Sequence, residues 1–289
     1  MWFWYALASA LIGTVAALLS KKTLEKVSAP LLTWSLFSLS LPFLVVLLIK
    51  DGWPQTTPLF YVGTLGSALL FGIGKTMTNV QLKKNALSKL YPLTAFASVF
   101  QFVLGIIFLG ESPTLIQTIG LLLIILGVYV LNAQGVGRNI IKPIQILFSD
   151  KPALMYLFAI FLASTSAVFD KIGLTNTQPV NPTAVLFIEN ILMTFFLAGY
   201  MMKKDKKWTF EFHKNFPLLL LNSVIYLLLV LLVFQGFIGG PVVLVMGVNR
   251  LQILFVLLFG MIFLGDKPTK HTWIAALLMI LGTLLSKIG

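Results

Sequence analysis

Apolar residues in this chain run in long blocks. The blocks are separated by short polar, Gly- or Pro-bearing stretches: KKTLEKVSAP, KDGWPQTTP, LKKNA, GESP, KKDKKWTFEFHKN, GGP and GDKP. Ten blocks approach the roughly 20 apolar residues that cross a bilayer as a helix. They cover residues 2–20, 30–49, 59–80, 87–109, 114–131, 152–169, 182–202, 216–236, 241–264 and 271–286. Hydrocarbon offers no water to backbone N–H and C=O groups, so each block is predicted as an α-helix. The first block lacks a basic leader and a small-residue cleavage site, and reads as a retained helix rather than a signal peptide. The longest break, 133–151, places Ile140, Ile141, Ile144, Leu147 and Phe148 at helical spacing. That stripe suits a short helix lying on the membrane surface.

The blocks repeat. GIIFLGESPT (105–114) returns as GMIFLGDKPT (260–269), and LLLIILG (121–127) returns as ALLMILG (276–282). Lys22 after block 1 corresponds to Lys171 after block 6, Pro30 to Pro182 at the starts of blocks 2 and 7, and Gln81 to Gln235 at the ends of blocks 3 and 8. Blocks 1–5 therefore recur as blocks 6–10. Five is odd, so each helix must cross the membrane in the opposite sense to its partner. An inverted repeat of this kind sets a substrate site between the halves near the bilayer midplane. The expected fold is an all-α integral membrane protein of ten helices in two inverted five-helix repeats, 1–132 and 152–289, joined by the linker 133–151. In both copies of the phrase, Gly110 and Gly265 are predicted to end a helix in a left-handed turn. Pro113 and Pro268 are predicted in the first turn of the next helix.

These features together resemble the EamA-type branch of the drug/metabolite transporter superfamily: ten blocks in two sets of five, a Lys after blocks 1 and 6, a Pro opening blocks 2 and 7, and LGE.P or LGD.P turns after blocks 4 and 9. The resemblance spans nearly the whole chain and is specific for the family, not for a substrate. The chain departs from it at Phe37 and Glu189, where many members carry a basic residue, and at Ser98 and Ile253, where many carry a mid-helix proline.

Composition agrees with a lipid environment. The 289 residues are 58% hydrophobic and 10% charged, where soluble domains have about 25% charged residues. No cysteine is present, which excludes disulfides and thiolate metal sites. The formal charge of +12 reads as membrane orientation and not as a nucleic-acid surface, because the basic residues lie between apolar blocks. Of the 21 Lys and Arg, 16 fall on odd-numbered loops and three on even loops and the C-terminus. The positive-inside rule then puts both termini outside a plasma (inner) membrane. The family resemblance implies both inside.

Ionisable groups inside a membrane helix are costly and mark functional sites. Glu189 lies about 10 Å into block 7 and Arg250 about 13 Å into block 9 from the same face, so they are expected at similar depth and within reach of pairing. Lys75, near the end of block 3, is expected to extend to the interface. Tyr91, Thr94, Ser98 and Gln101 form a polar stripe on block 4, and Asn249, Arg250 and Gln252 lie on its repeat partner. Tyr226, four residues from Asn222, adds a polar position on block 8. The candidate substrate-binding set is thus Arg250, Asn249, Gln252, Gln101, Ser98, Thr94, Glu189 and Tyr226. Ser9, Gly13 and Ala17, like Ala159, Ala163 and Ala167, read as close helix packing. His213 and His271 have no second ligand at metal spacing, and no hydrolase or ATPase motif is present, so neither a metal site, a cofactor nor an enzyme activity is assigned. The reading is a secondary transporter of a small polar, amino-acid-like or drug-like solute, with proton coupling through Glu189 and the oligomeric state both left open. A flippase for a lipid-linked sugar and a channel are the rival classes.

Overall fold

The structure, a computed structural model, describes residues 1–84, 93, 95–132, 151–204, 206–264 and 270–288. Its α-helices, in chain order, are α1 (Trp2–Leu24), α2 (Ala29–Ser38), α3 (Leu41–Asp51), α4 (Pro58–Lys84), α5 (Ala95–Leu109), α6 (Leu115–Asn132), α7 (Lys151–Thr175), α8 (Pro182–Lys204), α9 (Trp208–Gly239), α10 (Val242–Asn249), α11 (Leu251–Leu264) and α12 (Lys270–Ile288). Two-residue strands, β1 (Gln55–Thr56) and β2 (Thr177–Gln178), pair antiparallel and tie the α3–α4 connection to the α7–α8 connection.

Seven helical segments among the described residues are long and apolar enough to cross a membrane: Trp2–Leu24, Ala29–Asp51, Pro58–Lys84, Lys151–Thr175, Pro182–Lys203, Trp208–Gly239 and Lys270–Ile288. Three shorter apolar helices, Phe96–Leu109, Leu115–Val130 and Val242–Val256, occupy the other three apolar blocks. The chain is a multi-pass, helical membrane protein. The predicted surface helix in 133–150 and the second copy of the turn, with Gly265 and Pro268, lie outside the described residues.

Among the described residues two apolar blocks are interrupted, each for a local reason. The second divides at Leu39–Ser40 into α2 and α3. Pro42 at the start of α3 has no N–H and cannot continue a helix through the preceding turn, and the Ser40 hydroxyl turns back to the Phe37 carbonyl at 2.6 Å. Ser28 caps the α2 end, accepting from the Leu31 N–H, with Pro30 in the first turn. The ninth block divides at Arg250 into α10 and α11 without any proline. There the backbone tightens, with Arg250 N–H on the Gly247 carbonyl at 3.1 Å and Ile253 N–H on the Arg250 carbonyl at 3.0 Å.

At the first copy of the repeated turn, Gly110 has φ 64°, the left-handed conformation expected of it. Pro113 is not in the first turn of α6. It precedes Thr114, which caps the helix: the Gln117 N–H donates to the Thr114 hydroxyl at 3.2 Å and the Thr114 N–H to the Gln117 side chain at 3.0 Å. This reciprocal capping box supplies the start signal that the sequence reading gave to proline.

Glu111 of the same turn reaches into the other half of the chain. Its carboxylate accepts from the N–H groups of Val242 at 2.5 Å and Val243 at 3.2 Å, at the start of α10. Lys171 donates to the carbonyls of Phe237 and Gly240, at the end of α9. Only Gly240 and Pro241 separate these helices, so one acidic and one basic side chain serve two helix ends of matching dipole sign. Trp2 covers the turn closely: a Cβ on Gly240 would lie 2.7 Å from Trp2 Cγ.

The helices pair in a regular way. α1 lies along α9, α4 along α7, and α6 along α12. At the α6–α12 crossing Gly120 and Gly282 face each other; a Cβ on Gly120 would lie 2.6 Å from the Gly282 carbonyl oxygen, and one on Gly282 2.5 Å from that of Gly120. In lipid such close backbone approach replaces the hydrophobic drive that water would give. The small-residue stripes also serve packing. Ala159 and Ala163 receive Gly74 of α4, and Ser9 and Gly13 of α1 meet α10 and α11.

Gly120→Val should force α6 and α12 apart and lower stability by about 1–3 kcal/mol. A thermal melt of the detergent-purified variant checks this. Glu111→Ala should cost about 1–2 kcal/mol through the lost helix cap, measured the same way, with Glu111→Asp restoring part of the loss.

Candidate functional site

A cavity of about 310 Å³ lies among α2, α4, α5, α7, α8, α9 and the α10–α11 break. Its wall is mostly apolar, with Phe37, Phe71, Ile160, Leu186, Val230 and Phe234 contributing. The polar groups on that wall fall into two sets, defined by their contacts.

The first set surrounds Arg250. The break between α10 and α11 places Asn249, Arg250 and Gln252 together on the wall. Asn249 and Gln252 are tied to α1: Asn249 donates to the Ser9 hydroxyl at 2.7 Å, Gln252 to the Gly13 carbonyl at 2.9 Å, and the Thr14 hydroxyl to the Gln252 carbonyl at 3.2 Å. Arg250 Nη2 donates to Gln101 Oε1 of α5 at 3.4 Å. Its Nε is buried with no hydrogen-bond partner. A guanidinium carries five N–H donors and stays charged, so this one retains unused donors next to the cavity.

The second set surrounds Asp170 and Glu189. The Ser67 hydroxyl of α4 donates to the Asp170 carboxylate of α7. The Glu189 carboxyl of α8 neighbours both Asp170 and Ser67. Glu189 is 3% exposed, and its Oε1 is buried without a partner. Lys75 of α4 holds its ammonium 5.4 Å from the centre of the Tyr226 ring of α9, a cation–π contact. Tyr226 in turn stacks on Phe71 and meets Phe37 edge-on.

Of the candidates read from sequence, Arg250, Asn249, Gln252, Gln101, Glu189 and Tyr226 line this cavity. Ser98 is buried in α5, outside the lining. Thr94, like Tyr91, lies outside the described residues. Glu189 and Arg250 do not pair with each other, because each points to different partners and each keeps an unpartnered atom. Asn222, on the same helix as Tyr226, fastens α9 to α1: it donates to the Thr23 hydroxyl at 2.7 Å and accepts from the Ser20 hydroxyl at 3.2 Å.

The chain matches known proteins twice along its length, over residues 1–133 and again over 150–288, each time as an EamA-like transporter. It belongs to the EamA-like transporter family. The family's members are membrane transporters, which fits a multi-pass chain around an internal polar cavity. A solved structure described only as a protein crystal structure shares the fold, with a TM-score of 0.65 over 97% of this chain and 98% of that one at 17% identity. No curated protein sequence matches the chain.

In this EamA-like chain, sequence reasoning missed Asp170, Ser67 and Tyr156, and assigned Lys75 to the interface. The reason is the position of helix ends. Apolar block 6 ends at residue 169, whereas α7 continues to Thr175 and carries Asp170 inside it. Block 3 was taken to end at residue 80, whereas α4 continues to Lys84, which leaves Lys75 nine positions from the end and facing the cavity. The sequence signal available was the polar pair Asp170–Lys171 itself, whose two members turn out to serve different ends: Asp170 the cavity, Lys171 the α9 carbonyls.

Among the described residues Arg250 is held by one long hydrogen bond and no ion pair, so its charge is undercompensated there. Arg250→Gln should therefore leave the melting temperature unchanged or raise it, in contrast to the loss of 3–5 kcal/mol, roughly, that follows removal of one partner of a buried ion pair. Thermal unfolding of purified wild type and variant decides between the two.

Proposed function

We propose that this protein is a secondary transporter that carries a small polar solute, amino-acid-like or drug-like, across a plasma (inner) membrane by alternating access. The observation that carries the reading is the cavity itself. It is apolar over most of its wall, as ligand sites are, yet it keeps an Arg250 donor and a Glu189 acceptor without protein partners. Groups of this kind cost free energy in lipid and are retained where a solute or water completes them.

The two halves, 1–132 and 152–289, act as inverted five-helix repeats in this reading, with 133–151 as their connector. Helix pairing supports it. If helices of the first half correspond to helices of the second in order, the α1–α9 pair maps onto the α7–α4 pair, and the α6–α12 pair maps onto itself. The double family match, one for each half, supports it as well. Rocking of one half against the other around a shared cavity is the motion such symmetry permits.

Both termini are proposed outside. Of the three basic residues on the even-loop side, Lys171 caps α9 and Lys287 rests against the rings of Phe3 and Trp4. The positive-inside count against that side is accordingly low. Cysteine scanning on this cysteine-free chain tests the orientation: a cysteine at Gln55 should label with an impermeant thiol reagent applied to intact cells, and one at Lys206 should not. The opposite pattern would reverse the assignment.

Saturable uptake into proteoliposomes, with counterflow of labelled solute, is expected of a carrier and not of a channel. A strict requirement for a lipid-linked sugar would instead mark a flippase. Arg250→Gln should abolish uptake while the protein stays folded; full uptake by this variant would remove Arg250 from the binding site.

A further inference from the structure

Helix α9 is longer than a membrane requires. Its 32 residues rise about 48 Å at 1.5 Å per residue, against roughly 30 Å of hydrocarbon. A kink divides it near its start. Asn215 leaves helical geometry, with φ −113° and ψ 16°, and Pro217 has no N–H to give to the turn before it. Residues 208–214 therefore form a helical segment of their own, next to the Lys-rich connection from α8.

The two faces of this segment differ. Trp208, Glu211, Phe212 and Asn215 are half-buried, at the spacing of one helix face. Trp208 and Phe212 meet the Trp34 ring of α2 edge-on, with centroids 6.4 and 6.0 Å away. Glu211 accepts from the Ser28 N–H at the start of α2 at 2.8 Å. The other face, with Thr209, Phe210, His213 and Lys214, is exposed. Phe210 is 65% exposed, and Lys214 holds its ammonium 5.7 Å from the centre of that ring.

We propose that Lys203, Lys206, Lys214 and Phe210 form a binding site for the headgroup of an anionic phospholipid. The site concerns the lipid partner of the protein and is independent of what the cavity carries.

Charge and shape both favour this occupant. Residues 203–214 hold five lysines against two acids, and one of those acids, Glu211, is committed to the α2 backbone. Lys203 in the last turn of α8 and Lys206 in the connection are exposed. A lysine near an anionic membrane surface strengthens binding about fivefold. An exposed aromatic ring beside lysines suits the headgroup layer: the ring enters the acyl boundary while the ammonium groups reach the phosphates. The contacts of Glu211, Trp208 and Phe212 fix the segment to α2, so ring and lysines are presented from an anchored backbone. Further along, α9 carries Tyr226 to the cavity and α2 carries Phe37. A bound headgroup thus braces two helices of the cavity wall.

The test uses the full chain with a single cysteine at Thr209, labelled with a fluorophore and reconstituted in phosphatidylcholine liposomes. A minor fraction of nitroxide-bearing phosphatidylglycerol or, in parallel, nitroxide-bearing phosphatidylcholine serves as quencher. The anionic lipid should quench at a mole fraction about tenfold lower than the zwitterionic one. The triple variant Lys203→Gln, Lys206→Gln and Lys214→Gln should lose that preference. A control triple variant, Lys84→Gln, Lys151→Gln and Lys270→Gln, removes the same charge from exposed lysines on the same side and should keep it. In detergent, phosphatidylglycerol should raise the melting temperature of the wild type and the control more than that of the site variant, since a ligand of the folded state stabilises it. Melting temperatures without added lipid show that each variant is folded. Equal quenching by the two lipids overturns the proposal, as does a preference that survives in the site variant. Equal loss in both triple variants also overturns it and marks diffuse attraction to the whole basic face.

Discussion

Every backbone N–H and C=O inside hydrocarbon must find its partner within the protein, and this constraint organises the structure most visibly where helices stop. An unbroken helix satisfies itself. At Gly239–Val242 the chain leaves one helix and enters the next within a two-residue gap, which strands carbonyls on one side and N–H groups on the other. Glu111 and Lys171 meet that demand from α5–α6 and α7. The glutamate belongs to the ten-residue phrase that occurs twice in the chain. Its role gives the first copy a physical meaning: the left-handed Gly110 ends one helix, Glu111 serves a helix start in the other half, and Thr114 opens the next helix.

The same constraint bears on charge. A buried ion is stable in lipid only with partners or water, and the Lys, Arg, Asp and Glu side chains on the cavity wall have few partners. Lys75 uses an aromatic face, Arg250 a single amide, and Asp170 a serine hydroxyl. A fold selected for rigidity alone would gain by replacing such groups with apolar ones of similar size. Their presence around one cavity, while Asn249, Gln252 and Asn222 are committed to bonds with α1, separates polar residues that hold helices together from those that keep unpartnered atoms beside the cavity.

That separation was only partly legible in the sequence. Block hydropathy located the helices because span length is set by bilayer thickness, a constraint the apolar runs record directly. Arg250, Glu189 and Gln101 were legible because a lone polar residue in an apolar run has few explanations. Direction around the helix was not. Asn249 and Gln252 line the cavity and also bond to α1, and nothing in their spacing separates the two roles. Ser98 shares the Gln101 stripe yet stays off the wall. Asp170 and Lys75 were misplaced by helix ends shifted by a few residues, since polar residues near a presumed end look like interface residues. Glu189 and Arg250, left within reach of pairing by the sequence, stay apart for a different reason: equal depth does not bring two side chains together when α8 and the α10–α11 break face different neighbours.

The break at Arg250 links these points. Without a proline to force it, the interruption is held by what its residues contact: Asn249 and Gln252 on α1, Arg250 on α5. α1 also carries Trp2 at its other extreme, packed over the Gly240 turn that Lys171 and Glu111 secure. One helix therefore contacts both the cavity wall and the closed turn at the end of that wall. At that turn the backbone bonds of Glu111 and Lys171 and the Trp2 indole sit beside buried apolar side chains, Phe3, Phe237, Val242 and Val245 among them.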